Sequence, residues 1–219
     1  MKLVTESYLK QVERWPKVGR HILAQFDNTS VIVYQAYCPG IGHFAAQHGY
    51  FGGEFRLNRM SWIKPNFLWM MYRSGWGTKP GQDVILAIRI QRTAFDTILA
   101  DAVYSNFVPN VYSSEAAWKE AVAQSSVRLQ WDPDHHPSGE KLERRAIQLG
   151  LRHEVLAQYS RDWIVEIDDV SEFVQQQYQY VQVRDWGNLM TPYEVVYPVR
   201  EPAIAQRLGL STPETESSS

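Results

Sequence analysis

Between Arg59 and Gly77 the sequence RMSWIKPNFLWMMYRSGWG sets three tryptophans, a phenylalanine, a tyrosine and three methionines beside two arginines, a lysine and two serines. Arg59, Ser61, Lys64 and Arg73 are the types that hold a phosphate-bearing ligand, with arginine giving forked hydrogen bonds. Trp62, Trp69 or Trp76 can stack on a flat ring. Two readings stand side by side. One is a ligand site; the other is a tryptophan-rich core whose cations pair with acids or snorkel to water. For Phe67, Leu68, Met70 and Met71 the core reading is favoured, because a helix apolar on every side buries itself. Arg59, Ser61 and Lys64 lie on an irregular approach to that helix, where free backbone N–H groups also attract anions.

Other candidates carry less. Gln35 and Tyr37 share one face of a strand with Val31 and Val33, and a buried glutamine needs partners for its amide. Those partners are neighbouring backbone or a ligand. Gln148 shares a strand face with Ala146 and Gly150, whose small size leaves room for a ligand or for close backbone approach. Arg144 and Arg145 precede it. Asp132, Asp134, His135 and His136 offer metal-binding types, yet adjacent histidines on a proline-rich loop converge poorly and no established ligand spacing supports them. No metal is therefore expected. Cys38 stands before Pro39 with His43 five residues on, but nothing local marks the thiol as activated.

The elements that must position these groups alternate irregularly. Residues 5–25 read as an amphipathic helix broken by Pro16. Thr29 to Cys38 is a strand apolar on both faces, as a central strand is. A short helix up to Gly49 follows, then the extended Met60 to Lys64. A helix over Phe67 to Ser74 is started by Pro65 and Asn66 and stopped by Gly75. Asp83 to Ile90 is a second buried strand. Helices follow from Thr93 and Ser114, and VRLQW alternates as a strand with Val127, Leu129 and Trp131 inward. DPDHHPSGEK reads as a polar loop, Arg145 to Leu151 as a strand, and RHEVLAQYS as a helical turn or two. WIVEID is a strand, VSEFVQQQYQYVQV a helix, and YEVVYPV a last edge strand. No GxGxxG follows a strand and no phosphate-loop spacing occurs. The expectation is one α+β domain over residues 1–200 with a mixed or mostly antiparallel sheet, and a tail over 201–219 ending in the polar STPETESSS.

Composition bounds the function. The 219 residues include 44% hydrophobic ones, enough for a sizeable core, and eight Trp and twelve Tyr. A formal net charge of −2 argues against non-specific coating of nucleic acid while leaving room for a local basic cleft. One cysteine forms no internal disulfide and fits a reducing cytoplasm. With no apolar signal core and no run long enough to span a bilayer, the chain reads as soluble and intracellular, with no membrane partner.

The segments VYQAYCPGIGHFAAQHGYF, RMSWIKPNFLWMMYRSGWGTKPGQDVILAIRI, VRLQWDPDH and RAIQLGL with WIVEIDDV resemble the domain-of-unknown-function family numbered 4291, from about Arg20 to about Val174. The order of elements is also similar to that of ADP-ribosyltransferases. That second resemblance implies a split pair of sheets gripping NAD, here a substrate. Gln35 or Tyr37 then takes the place of the adenosine-side Arg or His, Ser61 the place near the nicotinamide, and Gln148 or Glu143 the place of the catalytic Glu. The first strand lacks the Arg or His. If Gln148 fills the third place, no carboxylate is there to stabilise an oxocarbenium ion. On this expectation Arg59, Lys64 and Arg73 face the diphosphate and Trp62 or Trp69 stacks on a ring, in an enzyme modifying a nucleic acid or another nucleophile. The alternatives are a non-catalytic module for a nucleotide or single-stranded nucleic acid, and a structural domain whose aromatics are all core.

Overall fold

The computed structural model describes residues 3–211. Strand β1 (Thr5–Ser7) runs straight into helix α1 (Tyr8–Arg14). The helix stops at Trp15, whose extended angles follow from the proline after it. Strands β2 (Leu23–Ala24) and β3 (Ser30–Tyr37) lead to α2 (Pro39–His48), closed by Gly49 in the left-handed region. Then come β4 (Ser61–Ile63), α3 (Phe67–Ser74), β5 (Val84–Gln91), α4 (Arg92–Asp101) and β6 (Ala102–Tyr104). Helix α5 (Glu115–Gln124) precedes the long hairpin of β7 (Val127–His135) and β8 (Lys141–Leu151). The chain ends with α6 (His153–Ser160), β9 (Ile164–Asp169), α7 (Ser171–Gln182), β10 (Met190–Pro192), β11 (Val195–Val196) and α8 (Pro202–Leu208).

The class is α+β, with sheets that are antiparallel apart from the β6–β7 pair. One sheet has the order β3-β5-β9 and the other β4-β8-β7-β6; two short ladders, β1-β10 and β11-β2, flank them. The main sheets meet at one point. Tyr34 N donates to Lys64 O at 2.7 Å and Lys64 N to Tyr34 O at 3.2 Å, in an isolated antiparallel bridge. Past it β3 and β4 form no further ladder among the described residues, so the two sheets split there.

Alternation sets the faces. Val31 and Val33 of β3, Leu86 and Ile88 of β5, and Leu129, Ile147 and Leu149 of the hairpin pack into one core. Ile32 and Tyr34 of β3, with Ile85 and Ala87 of β5, join a second core under α3, built from Phe67, Leu68, Met70 and Met71. Strand β3 is therefore buried on both faces, as its sequence implies.

Several segments depart from the sequence reading. The 5–25 stretch is strand, short helix and a two-residue strand rather than a broken helix, because Thr5–Ser7 finds a partner in Met190–Pro192. The first four residues of DPDHH belong to β7, whose ladder runs past Pro133 with a shift of register there. The last strand shrinks to Val195–Val196. Within 201–219, α8 forms and seats Leu208 in the first core; of STPETESSS, all but Ser211 lies outside the described residues.

Helix α2 lies close against β5. A Cβ on Gly42 would sit 2.5 Å from Val84 Cβ, a contact no rotamer relieves. Gly42→Ala should destabilise the protein by about 1–3 kcal/mol despite alanine's better helix propensity. Gly187→Ala, where the nearest atom is 3.6 Å away, should be close to neutral. Urea midpoints of the two variants check this.

Candidate functional site

The split between β3 and β4 opens a cavity of about 480 Å³. Gln35, Ala36 and Tyr37 from the end of β3 form one wall, with Trp62 and Lys64 from β4 beside them. Met70 and Arg73 of α3, Gln82, Gln130 of β7, Gln148 of β8 and Arg59 complete it.

The hairpin register explains the polar floor. Gln130 lies opposite Gln148, Arg128 opposite Gly150 and Trp62 opposite Gly150 on its other side. Continuing the β4–β8 register by one residue sets Lys64 across from Gln148. Even-numbered positions of these strands thus present Trp62, Lys64, Gln148, Gln130 and Asp132 on one face, while the odd ones feed the core. Asp132 Oδ2 accepts from Gln148 Nε2 at 2.8 Å and its Oδ1 from Gln130 Nε2 at 3.0 Å. The space left by Gly150 is filled by protein. A Cβ there would meet Met60 Sδ at 2.6 Å and two indole carbons of Trp62 at 3.0 Å, so the Trp62 ring lies on β8.

Gln35 occupies the gap between the diverging strands. Its Oε1 accepts from Tyr159 Oη at 2.8 Å, which fixes the amide's orientation. Its Nε2 donates to Tyr37 Oη (2.9 Å), Ser61 Oγ (2.8 Å) and the Trp62 carbonyl (3.2 Å). The Tyr37 and Ser61 hydroxyls are 2.6 Å apart. Burial pushes the Tyr37 phenol up to about 12, against the pull of those two hydrogen bonds.

Lys64 is the unusual member. It is 4% exposed, and its ammonium has no hydrogen-bond or ion-pair partner among the described residues. Burial brings its ammonium down to about 8, Arg73 pushes the same way, and Asp132 opposes both. The guanidinium groups of Arg59 and Arg73, both exposed residues, likewise make no hydrogen bond or ion pair among the described residues, although the Arg73 carbonyl accepts from Lys79 Nζ at 2.8 Å.

The remaining expected site residues fall elsewhere. Trp69 is 6% exposed and stacks on Tyr72 at 5.5 Å and His135 at 5.3 Å, away from the cavity, because its turn of α3 faces β7. Trp76 lines a separate hollow of about 330 Å³ with Leu68, Met71 and Tyr178. Glu143 is exposed and an odd number of residues from Gln148, so it projects from the opposite face of β8. The start of α3 is not open to an anion as expected. Glu194 accepts from Phe67 N at 2.7 Å, and Asn66 Oδ1 from Trp69 N at 2.7 Å. Burial holds the Glu194 carboxyl well above the ordinary range. Asp134 and Arg144 form a buried pair at 2.6 Å, and His135 is inside the aromatic stack, so the DPDHH side chains do not converge. Cys38 is a partly buried free thiol, while His43 turns to Asp169 at 3.8 Å.

Residues 21–197 match the family described as Domain of unknown function (DUF4291). The chain belongs to that family. No curated protein matches it. The matched span of this DUF4291 protein holds every residue that lines the cavity. Among the described residues no helix is long and apolar enough to cross a membrane.

Sequence reasoning weighed Asp132 only as a metal ligand and passed over Gln130 and Tyr159 as site residues. The alternation of VRLQWDPD places Arg128, Gln130 and Asp132 on one face, but Pro133 suggested a loop and hid the third. Tyr159 is contributed by α6, which carries no local sign of the contact.

A buried, unpartnered lysine destabilises its fold. The fall from 10.5 to about 8 corresponds to about 3 kcal/mol. The unfolded chain binds the extra proton between those values, so the penalty is full below about 8 and fades as pH rises towards 10.5. Lys64→Met should raise the melting temperature by several degrees at pH 7, and the gap to wild type should narrow by pH 9.5. Paired urea titrations at both pH values read this; a less stable variant at pH 7 would mean the lysine is satisfied in the native state.

Proposed function

We propose that this protein binds a dinucleotide of the NAD type in the seam cavity and transfers its ADP-ribosyl group to a nucleophile. The observation that carries the reading is the convergence of the charged groups of Arg59, Lys64 and Arg73, none of which has a hydrogen-bond or ion-pair partner among the described residues, on one cavity with Trp62 and Gln148. Three such cations suit a diphosphate, which offers each an oxygen. Trp62 gives a ring against which a base can lie. The hydroxyl pair of Tyr37 and Ser61, oriented by Gln35, suits a ribose or a carboxamide.

In the proposed reaction the C1′–N bond breaks and its electron pair leaves with nicotinamide. The acceptor's lone pair bonds C1′, and the acceptor's proton departs. Positive charge grows on the ribose as the bond opens, and the site's negative charge is Asp132, gripped by Gln130 and Gln148 beneath the cavity. Asp132 therefore takes the part that the resemblance implied for Gln148 or Glu143. A carboxylate already held by two amides stabilises such charge with little reorganisation.

A second reading, a nucleotide-binding module without turnover, is favoured by one observation: no carboxylate directly lines the cavity among the described residues.

Thermal-shift titrations with NAD, ADP-ribose and ATP, and nicotinamide release from labelled NAD, separate the two. Transfer predicts a shift with NAD and ADP-ribose, and release that slows about a hundredfold or more in Asp132→Asn. A shift without release supports the module. Neither shift nor release, with candidate acceptors present, overturns both. Because the ligand is anionic, NAD affinity should fall as pH rises through about 8, where Lys64 gives up its charge, and Lys64→Met should lose that dependence.

A further inference from the structure

A second hollow of about 540 Å³ lies beside the seam cavity, lined by Ile41, Gly53, Glu54, Phe55, Arg56, Arg59, Met60 and Ser61. The two share Arg59, and their common wall is the Tyr37–Ser61 hydroxyl pair: Tyr37 lines the first and Ser61 the second, at 2.6 Å. We propose that the second hollow is the acceptor subsite and that it takes a single-stranded nucleic acid. This rests on the reading of the seam cavity as the dinucleotide site.

The first support is charge. Arg56 is exposed and, like Arg59, has no hydrogen bond or ion pair among the described residues. In a chain of net charge −2, these two guanidinium groups, with Lys64 and Arg73 next door, form a run of unneutralised cations along the two hollows. That suits a phosphate backbone crossing the second hollow towards the first. The second support is a set of rings packed against Gly52 and Gly53, the second of which lines the hollow. Phe44 stacks on the exposed His48 at 4.1 Å and meets Tyr50 edge-on at 5.7 Å, and the Arg161 guanidinium lies 4.6 Å over Tyr50. Gly52 and Gly53 let this group close on the hollow: a Cβ on either would lie within 3.1 Å of the Phe44 ring. Rings and cations side by side stack bases and neutralise phosphates without reading sequence. A duplex hides its ring faces, so the surface favours single strands.

The third support is a hydrogen count. The Gln35 amide nitrogen shares its two hydrogens among both hydroxyls and the Trp62 carbonyl and can accept none, so each hydroxyl must use its own proton elsewhere. One proton joins the pair to each other and the other has no acceptor among the described residues. A spare donor therefore stands between the hollows, placed to bind an oxygen of either substrate. Glu54, whose carboxylate has no hydrogen-bond or ion-pair partner among the described residues, lines the same hollow. It can take the proton that a strand's hydroxyl or amine releases as it bonds C1′.

The test uses fluorescence anisotropy with labelled single-stranded RNA and DNA 12-mers, unlabelled duplex as competitor, and a salt series, alongside the NAD thermal shift. Arg56 is exposed, so Arg56→Ala should fold as wild type, which circular dichroism checks. The variant should bind single strands several-fold more weakly, with a salt slope smaller by about one, and keep its NAD shift. Arg59→Ala should lose both. Equal strand binding by wild type and Arg56→Ala, no strand binding, or a duplex competing as well as a single strand would each overturn the subsite. Arg56-dependent strand binding with no NAD shift would uphold the subsite and remove the dinucleotide reading.

Discussion

Two backbone hydrogen bonds between Tyr34 and Lys64 hold the main sheets edge to edge at a single rung. Most of the site follows from that rung. On one side β3 is paired and covered on both faces; on the other its last residues part from β4 and a cavity opens. Lys64 is pinned at the divide with little freedom to withdraw. Its backbone is in the bridge, Pro65 follows directly, and Glu194 and Asn66 hold the first turn of α3 just beyond. A lysine on a surface strand would extend to water. This one is fixed where its ammonium reaches only the cavity.

The treatment of other buried cations makes Lys64 informative. Arg144 donates to Asp134 and to the Pro16 carbonyl and lies over Trp15. Arg92 donates to Tyr197 Oη and to the Asp27 carbonyl. Arg128 uses the carbonyls of Ser125 and Val127. Each is a structural charge satisfied by the fold. Against that background a largely buried lysine whose ammonium opens only to the cavity, with no hydrogen-bond or ion-pair partner among the described residues and beside the likewise unpartnered Arg73 guanidinium, is a cost the fold does not need for its own sake. An anion in the cavity would remove that cost, and ligand affinity and native stability would then be opposing demands on one residue.

What the sequence disclosed divides along the same physical lines. Strand alternation exposed Gln35, Tyr37, Lys64 and Gln148, because period-two patterns survive in a chain read alone. The α+β class and both long central strands were legible for the same reason. The part of each aromatic was not: Trp62 and Trp69 look equivalent in the string, and only the docking of α3 against β7 sends Trp69 into a stack with His135. Glu143 and Asp132 show the limits of chemistry without register. Glu143 carries a carboxylate on the face of β8 turned from the cavity. Asp132 carries one on the cavity face, and a proline one residue later masked the strand that holds it. The pairing of β1 with β10 spans almost the whole chain and had no local signature.

The surroundings of Gln35 suit a neutral amide and not an Arg or His. Its position is enclosed by Tyr159, Tyr37, Ser61 and the Trp62 carbonyl. A cation there would face hydroxyls and a carbonyl, with no carboxylate among those contacts, and would add a second buried charge to a seam that already holds Lys64. A neutral amide with one acceptor and two donor hydrogens meets the same neighbours without that penalty. Positive charge enters instead from the opposite wall, through Lys64 after β4, Arg73 on α3 and Arg59 before β4, two of which keep contact with water. The labour is thus split across the seam: β3 supplies an uncharged, orienting hydrogen-bond network, and the β4–α3 segment supplies the charge. That split ties the network on β3 to the position of the cations, since Gln35 reaches Trp62's backbone directly and so helps set the width of the gap in which both operate.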